Sequence, residues 1–218
     1  MHSNAYTYRF IIIITGVAAL LLSLAATGLK DRQDFNRALD TKKNILKSVN
    51  LYDKEMDPAE IEESYKSNIS EKYVTDVGEY SDNAEDLLLY EYINDGKIEG
   101  YIIPISGKGL WSTIYGFFAL KPDKKTVMGI TFYDHGETPG MGGEIEKEWF
   151  TSQFPDKKIF DSENNLLSVT ISKGKSIKVD DYHVDGVSGA TLTTKGVNEF
   201  LFRDLKSYEN FLKKSIQS

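Results

Sequence analysis

The distribution of apolar residues separates an N-terminal segment from the rest of the chain. Residues 10–29 form an apolar run without a charge, which as a helix is about 30 Å long, the thickness of a bilayer core. This run predicts one transmembrane helix behind a short head, residues 1–9. The alternative is a cleaved signal peptide, which the length of the run disfavours.

The following residues, 30–70, predict a helical connector. Apolar positions in residues 33–49 recur near helical spacing. A second helix is expected to begin at Asp57, an N-cap residue followed by Pro58 at the first helical position, with Glu60 completing a capping box.

Short apolar runs separated by turn residues predict a mainly β domain over residues 71–218. Three hairpins are expected, within residues 87–105, 110–135 and 166–184, and Asp95-Gly96 marks the first turn. The strands do not alternate with helices. The expected fold class is therefore α+β: an antiparallel sheet with flanking helices behind the transmembrane helix.

Composition and charge exclude several classes of function. The chain has net charge −7 and no cysteine. An acidic balance argues against a nucleic-acid partner, and the missing thiolates exclude a cysteine-ligated metal or iron–sulfur centre on this chain. Three scattered histidines predict no metal site, and the absence of G-x-G-x-x-G predicts no nicotinamide site.

The stretch VDGVSGATLTTKGV, residues 184–197, precedes an apolar helical pattern that runs to Leu212. Thr193 or Thr194 is the expected N-cap. A glycine-containing loop that caps a helix explains the glycines and one threonine. The functional interpretation is a phosphate site at the helix N-terminus, where the hydroxyl of Thr191 is itself esterified.

Residues 185–191 read Asp-Gly-x-Ser-Gly-Ala-Thr, which resembles the flavinylation motif of covalent FMN-binding domains. The resemblance implies that a flavin transferase, using FAD as donor, attaches FMN through its phosphate to Thr191. The remaining motif positions are expected around the cofactor: Asp185, Gly186, Ser188, Gly189 and Ala190.

Three further segments, residues 28–46, 107–120 and 129–146, resemble the C-subunit family of sodium-translocating NADH:quinone oxidoreductases. That resemblance implies an electron-relay subunit without catalytic residues of its own, in a complex whose other subunits oxidise NADH and reduce quinone. Three alternatives stay open: the G subunit of an Rnf-type complex, a flavin domain serving a fumarate-type reductase, and a non-redox anchored binding protein.

A flavin ring needs flat or apolar walls with a few hydrogen-bond donors. Trp111 is a candidate stacking face, and a core tryptophan in a strand is the equal alternative. The carboxylates of Glu137 and Glu144 are interpreted as solvated. The other expected cofactor contacts are Thr138, Gly140, Met141, Gly142, Leu192 and Thr193.

The expected location is the bacterial inner membrane, with one span in lipid through residues 10–29 and the FMN domain on the extracytoplasmic side. The lysines and arginines that follow the span oppose this orientation, although the positive-inside rule weakens for long domains. Attachment of FMN through its phosphate suits a chain without cysteine. We expect it also to prevent loss of the cofactor outside the cytoplasm, where no free FMN would replace it.

Overall fold

The computed structural model describes residues 4–174 and 180–214. The chain divides into two compact units, residues 1–40 and 41–218. Helix α1, Asn4–Ser48, contains the one described helical segment long and apolar enough to cross a membrane, with a mean hydropathy of 2.5 in its most apolar window. The helix predicted at residues 33–49 is the end of α1.

The described residues of the second unit form one large sheet, one small sheet and several helices. Its elements are α2 Pro58–Asn68, β1 Ile69–Val74, β2 Tyr80–Ser81, β3 Leu87–Asn94, β4 Lys97–Lys108, β5 Thr113–Leu120, β6 Val127–Asp134, a 3-10 helix Gly142–Glu146, α3 Glu148–Thr151, β7 Thr170–Ile171, β8 His183–Val184, α4 Thr191–Ser207 and α5 Glu209–Lys213.

The large sheet has the order β2-β1-β3-β4-β5-β6, and every neighbouring pair is antiparallel. Alternation along each strand sends successive side chains to opposite faces. One face carries Ile103 and Phe118, which belong to the same buried cluster as Phe200 and Leu201 of α4. The predicted α+β class is confirmed.

The opposite face of the sheet receives the end of α1. Ile45 and Leu46 are buried there, and the Thr131 hydroxyl donates a hydrogen bond to the carbonyl oxygen of Asn44 at 3.2 Å. Gly129 lies against the carbonyl of Ser48, where a Cβ atom would overlap that oxygen. Residues 41–48 are thus part of the second unit and cover its sheet.

The predicted start of α2 is confirmed in detail. The Asp57 carboxylate accepts hydrogen bonds from the amides of Ala59 and Glu60 at 2.8 and 2.9 Å, and the Glu60 carboxylate accepts from the Asp57 amide at 2.8 Å. Both halves of the capping box are present, so these three amides are satisfied.

Two of the three predicted hairpins are present, as β3–β4 and β5–β6. The third is wrong in the described residues, because β7 and β8 pair in parallel; residues 175–179 of that prediction lie outside the described range. Asn198 of α4 pairs with β7 instead, accepting from the Ile171 amide at 2.8 Å and donating to its carbonyl at 2.9 Å.

Helix α4 approaches strand β4 through glycine. A Cβ atom on Gly196 would overlap the carbonyl oxygen of Lys108, and one on Gly107 would overlap the Phe200 side chain. Only hydrogen can occupy these positions without moving neighbouring atoms. The contact brings the first turns of α4 against the end of β4 and the loop that follows it.

We predict that Gly196→Ala lowers the free energy of unfolding of the second unit by about 2 kcal/mol or more, because the new methyl group overlaps backbone. Denaturant unfolding of the full chain in detergent measures this loss. The matched control is Gly28→Ala, which adds the same group where no heavy atom lies within 4 Å. Equal denaturant midpoints for Gly196→Ala and Gly28→Ala would contradict the close contact between Gly196 and the Lys108 carbonyl.

Candidate functional site

The site begins at the N-terminus of α4, whose N-cap is Ala190 and makes no side-chain capping bond. The Thr194 amide is the first to donate within the helix, to the Ala190 carbonyl at 2.8 Å. By helix geometry the amides of residues 191–193 have no acceptor inside the helix. They present a partial positive charge suited to a phosphate.

The expected N-cap at Thr193 or Thr194 is wrong. Both side chains are buried in the first turn of α4, since the helix starts earlier than the threonines suggest. Gly189 has φ +75°, a left-handed conformation that glycine tolerates, and the Ala190 amide donates to the Val187 carbonyl at 3.2 Å. This turn starts the helix at Thr191.

The motif before the helix is held by its backbone. The Asp185 amide donates to the side-chain oxygen of Gln153 at 2.8 Å, and the Gly186 amide donates to the Gly174 carbonyl at 2.6 Å. A Cβ atom on Gly186 would overlap the Ser172 carbonyl oxygen. Beyond this anchored part, Ser188 and Thr191 are exposed.

A buried carboxylate joins three segments of the site. Glu137 is 5% exposed; its Oε1 accepts from the Trp111 amide at 2.9 Å and its Oε2 accepts from the Thr193 hydroxyl at 2.5 Å. A Cβ atom on Gly142 would lie 2.6 Å from the Thr193 hydroxyl oxygen and 2.7 Å from Oε2 of Glu137. We call these contacts the Glu137 junction.

The interpretation of Glu137 as a solvated carboxylate is therefore wrong. Burial raises its pKa, but hydrogen bonds from the Thr193 hydroxyl and from the amides of Trp111, Leu110 and Ser112 outweigh burial, so its pKa lies below the ordinary value. Glu137 is thus ionised near neutral pH. The loop composition gave no signal for this role, because the donors are distant in sequence.

The loop that carries Glu137 is closed by its own backbone. The Thr138 carbonyl accepts from the amides of Met141 and Gly143 at 3.1 and 2.9 Å, and Gly140 has φ +75°. Glu144 is also not free, as its carboxylate accepts from the Gly140 amide at 3.2 Å and from the indole of Trp149 at 3.1 Å. Gly140 is one of the expected cofactor contacts, and in this structure its amide donates to Glu144.

Large apolar side chains around the junction face solvent. Trp111 is 70% exposed, Met141 53% and Leu192 58%. Trp111 supplies one of the donors to Glu137, while Met141 and Leu192 directly neighbour Gly142 and Thr193 in the chain. Trp111 lies in the loop before β5, so the alternative of a core tryptophan in a strand is wrong.

The structure brings together Trp111, Thr138, Gly140, Met141, Gly142, Leu192 and Thr193 by these contacts and by chain connectivity. Ala190 and Thr191 join them at the start of α4, and the amide of Asp185, earlier in the motif, donates to the side-chain oxygen of Gln153. Among residues 4–174 and 180–214, no group of three or more histidine or carboxylate side chains converges as a metal site.

Residues 109–205 match the FMN-binding domain family. The C subunit of the Na(+)-translocating NADH-quinone reductase of Yersinia pestis is 36% identical over 90% of this chain and 86% of the relative. The corresponding subunit of Pseudomonas aeruginosa is 34% identical over 91% of this chain and 90% of the relative.

Two solved structures are similar to this fold. The C subunit of the same reductase from Parabacteroides distasonis superimposes with a TM-score of 0.77 at 32% identity, covering 86% of this chain and 98% of that chain. Shewanella oneidensis NqrC superimposes with a TM-score of 0.70 at 25% identity, covering 81% and 97%. The segment that matches the FMN-binding domain family contains both the N-terminus of α4 and the Glu137 junction.

We predict that Glu137→Gln destabilises the domain at about pH 7 and that this difference from wild type shrinks by about pH 3. Folding lowers the pKa of Glu137 below its ordinary 4.5, so its stabilisation is complete above that pH and is lost as the pH falls further. Denaturant unfolding of both proteins at the two pH values measures the effect. A difference that grows on acidification would contradict the assignment.

Proposed function

The chain belongs to the C-subunit family of Na(+)-translocating NADH-quinone reductases, and we propose that it relays electrons through FMN within such a membrane complex. The observation that carries this proposal is the exposed Thr191 at the uncapped start of α4, inside the segment that matches the FMN-binding domain family. The names of the relatives connect this relay to NADH, quinone and Na⁺.

The hydroxyl of Thr191 forms the attachment bond in this proposal. A flavin transferase presents FAD, the threonine oxygen attacks the phosphorus next to the riboflavin part, the pyrophosphate bond breaks, and AMP leaves while the hydroxyl proton is lost. The amides of residues 191–193 and the helix dipole then stabilise the charge of the phosphodiester. The exposure of Thr191 gives a transferase access to it.

The residues around Thr191 are suited to a flavin ring. Trp111, Met141 and Leu192 offer exposed apolar surface beside the attachment point, which is the kind of wall that a flat aromatic ring needs. Bound FMN supplies one-electron and two-electron transfer. The chain contributes orientation, partial shielding from water and the local charge.

The proposal also includes a membrane placement, which the length and apolar character of residues 10–29 in α1 support. This exposed segment contacts lipid as a single span, and the domain lies on the extracytoplasmic side of the bacterial inner membrane. Other subunits of the complex deliver and accept electrons there. The covalent tether retains the flavin in a compartment where no free FMN replaces it.

We predict that the full chain, co-expressed with a flavin transferase, shows flavin fluorescence on a denaturing gel and that Thr191→Ala removes the signal completely. Thr191→Ser should keep it, because a hydroxyl remains at the same place. The control is Thr170→Ala, which removes an exposed threonine of β7 outside the motif. Fluorescence persisting in Thr191→Ala would exclude this attachment site.

We predict that a cysteine introduced at exposed Ser152 reacts with a membrane-impermeant maleimide in cells whose outer membrane alone is permeabilised. The chain has no cysteine of its own, so each label reports one position. Ala5→Cys, in the short head, should react only after the inner membrane is lysed. The reverse pattern would place the domain in the cytoplasm.

A further inference from the structure

We propose that Glu137 is a positioning residue that assembles the flavin site before the cofactor arrives and places a fixed negative charge beside it. The charge effect rests on the proposed FMN function. The assembly does not, because the contacts that form the junction exist within the chain alone.

The first argument is that one carboxylate is shared by segments that are far apart in sequence. Its oxygens accept from the Trp111 amide, in the loop between β4 and β5, and from the Thr193 hydroxyl, in the first turn of α4. The Glu137 backbone follows the end of β6. A hydrogen bond to a charged acceptor is stronger than one between neutral groups, so both contacts hold their segments firmly.

The second argument is that glycines surround the carboxylate on both sides. A Cβ atom on Gly109 would lie 2.5 Å from Oε1, and one on Gly142 would lie 2.7 Å from Oε2. Any side chain at either position would displace Glu137 from its donors. The missing side chains of Gly109 and Gly142 therefore leave room for the carboxylate. Gly140 has a different role, because it adopts the left-handed conformation of a turn in the loop.

The backbone of Glu137 is also held in place. Its amide donates to Nδ1 of His135 at 3.3 Å. Nε2 of His135 is buried and lies 3.5 Å from a carboxylate oxygen of Glu146. Glu137 thus forms hydrogen bonds through its backbone amide as well as through both carboxylate oxygens.

This arrangement gives the clustered threonines different tasks. Thr191 is exposed and carries the attachment, whereas the Thr193 hydroxyl is committed to Glu137 and is not a donor to the phosphate. Thr193 therefore acts through the carboxylate, by holding the start of α4 over the Trp111 loop. The direct contact of Thr193 with the cofactor stays a prediction, and its hydrogen bond to Glu137 is a supporting contact within the chain.

The first test measures assembly in the full chain without a flavin transferase. Hydrogen exchange of the amides of residues 110–112 should be at least tenfold faster in Glu137→Ala, and intermediate in Glu137→Gln, which keeps an oxygen acceptor. Glu144→Gln is the matched control on the same loop, because its contacts run to Gly140 and Trp149; exchange at residues 110–112 should be unchanged.

Amides of β4 and β5 report whether each variant remains folded. If the β4 and β5 amides of Glu137→Ala lose their protection from exchange, that variant is unfolded, and the test of assembly then rests on Glu137→Gln alone. Wild-type exchange at residues 110–112 in a folded Glu137→Gln protein would overturn the assembly. If the assembly holds but the wild-type chain matured with a flavin transferase carries no flavin, the proposed function fails while the assembly stands.

The second test uses the flavin-loaded chain. Removing a buried negative charge favours added electrons on a neighbouring group, so Glu137→Gln should shift the flavin midpoint potential to more positive values. Glu144→Gln, which removes a charge nearer the solvent, should shift it less. An unchanged midpoint in Glu137→Gln, with normal attachment at Thr191, would overturn the charge role while leaving the proposed function intact.

Discussion

The close contact between α4 and β4 is the constraint on which the site depends. Because Gly107 and Gly196 have no side chains, the helix lies directly against the end of the strand. This brings the first turn of α4 within reach of the loop after β4 and of the segment after β6. Without that approach, the Thr193 hydroxyl and the Trp111 amide would have no common acceptor.

The start of α4 has no side-chain cap, and this absence bears on the proposed binding chemistry. Helix N-termini are usually satisfied by a serine, threonine or aspartate, yet Ala190 occupies the N-cap here and makes no such bond. In many proteins water satisfies these amides. In the proposed holoprotein the phosphate of FMN satisfies them, so the missing cap is part of the binding chemistry.

Local signals in the sequence predicted much of the fold. The capping box at Asp57 and the turn at Asp95-Gly96 act over three or four residues, and both are found. Strand β1 was missed because only Ile69 and Val74 at its ends are buried. The parallel pairing of β7 and β8 was missed because it depends on contacts between distant segments, as does the bond from Asn198 to Ile171.

The candidate site shows the same division between local and distant contacts. The motif at residues 185–191 could be recognised because its residues are consecutive in the sequence. The role of Glu137 was not readable, since its partners Trp111 and Thr193 lie 26 and 56 residues away. A charged residue in a glycine-rich loop ordinarily faces solvent, and only the folded arrangement supplies donors that keep it ionised while buried.

Intact-mass spectrometry of the full chain purified from membranes tests the central claim most directly. The account predicts one species heavier than the polypeptide by one FMN less one water, and a Thr191→Ala protein at the polypeptide mass. A wild-type chain, matured in the presence of a flavin transferase, that showed only the polypeptide mass would contradict it.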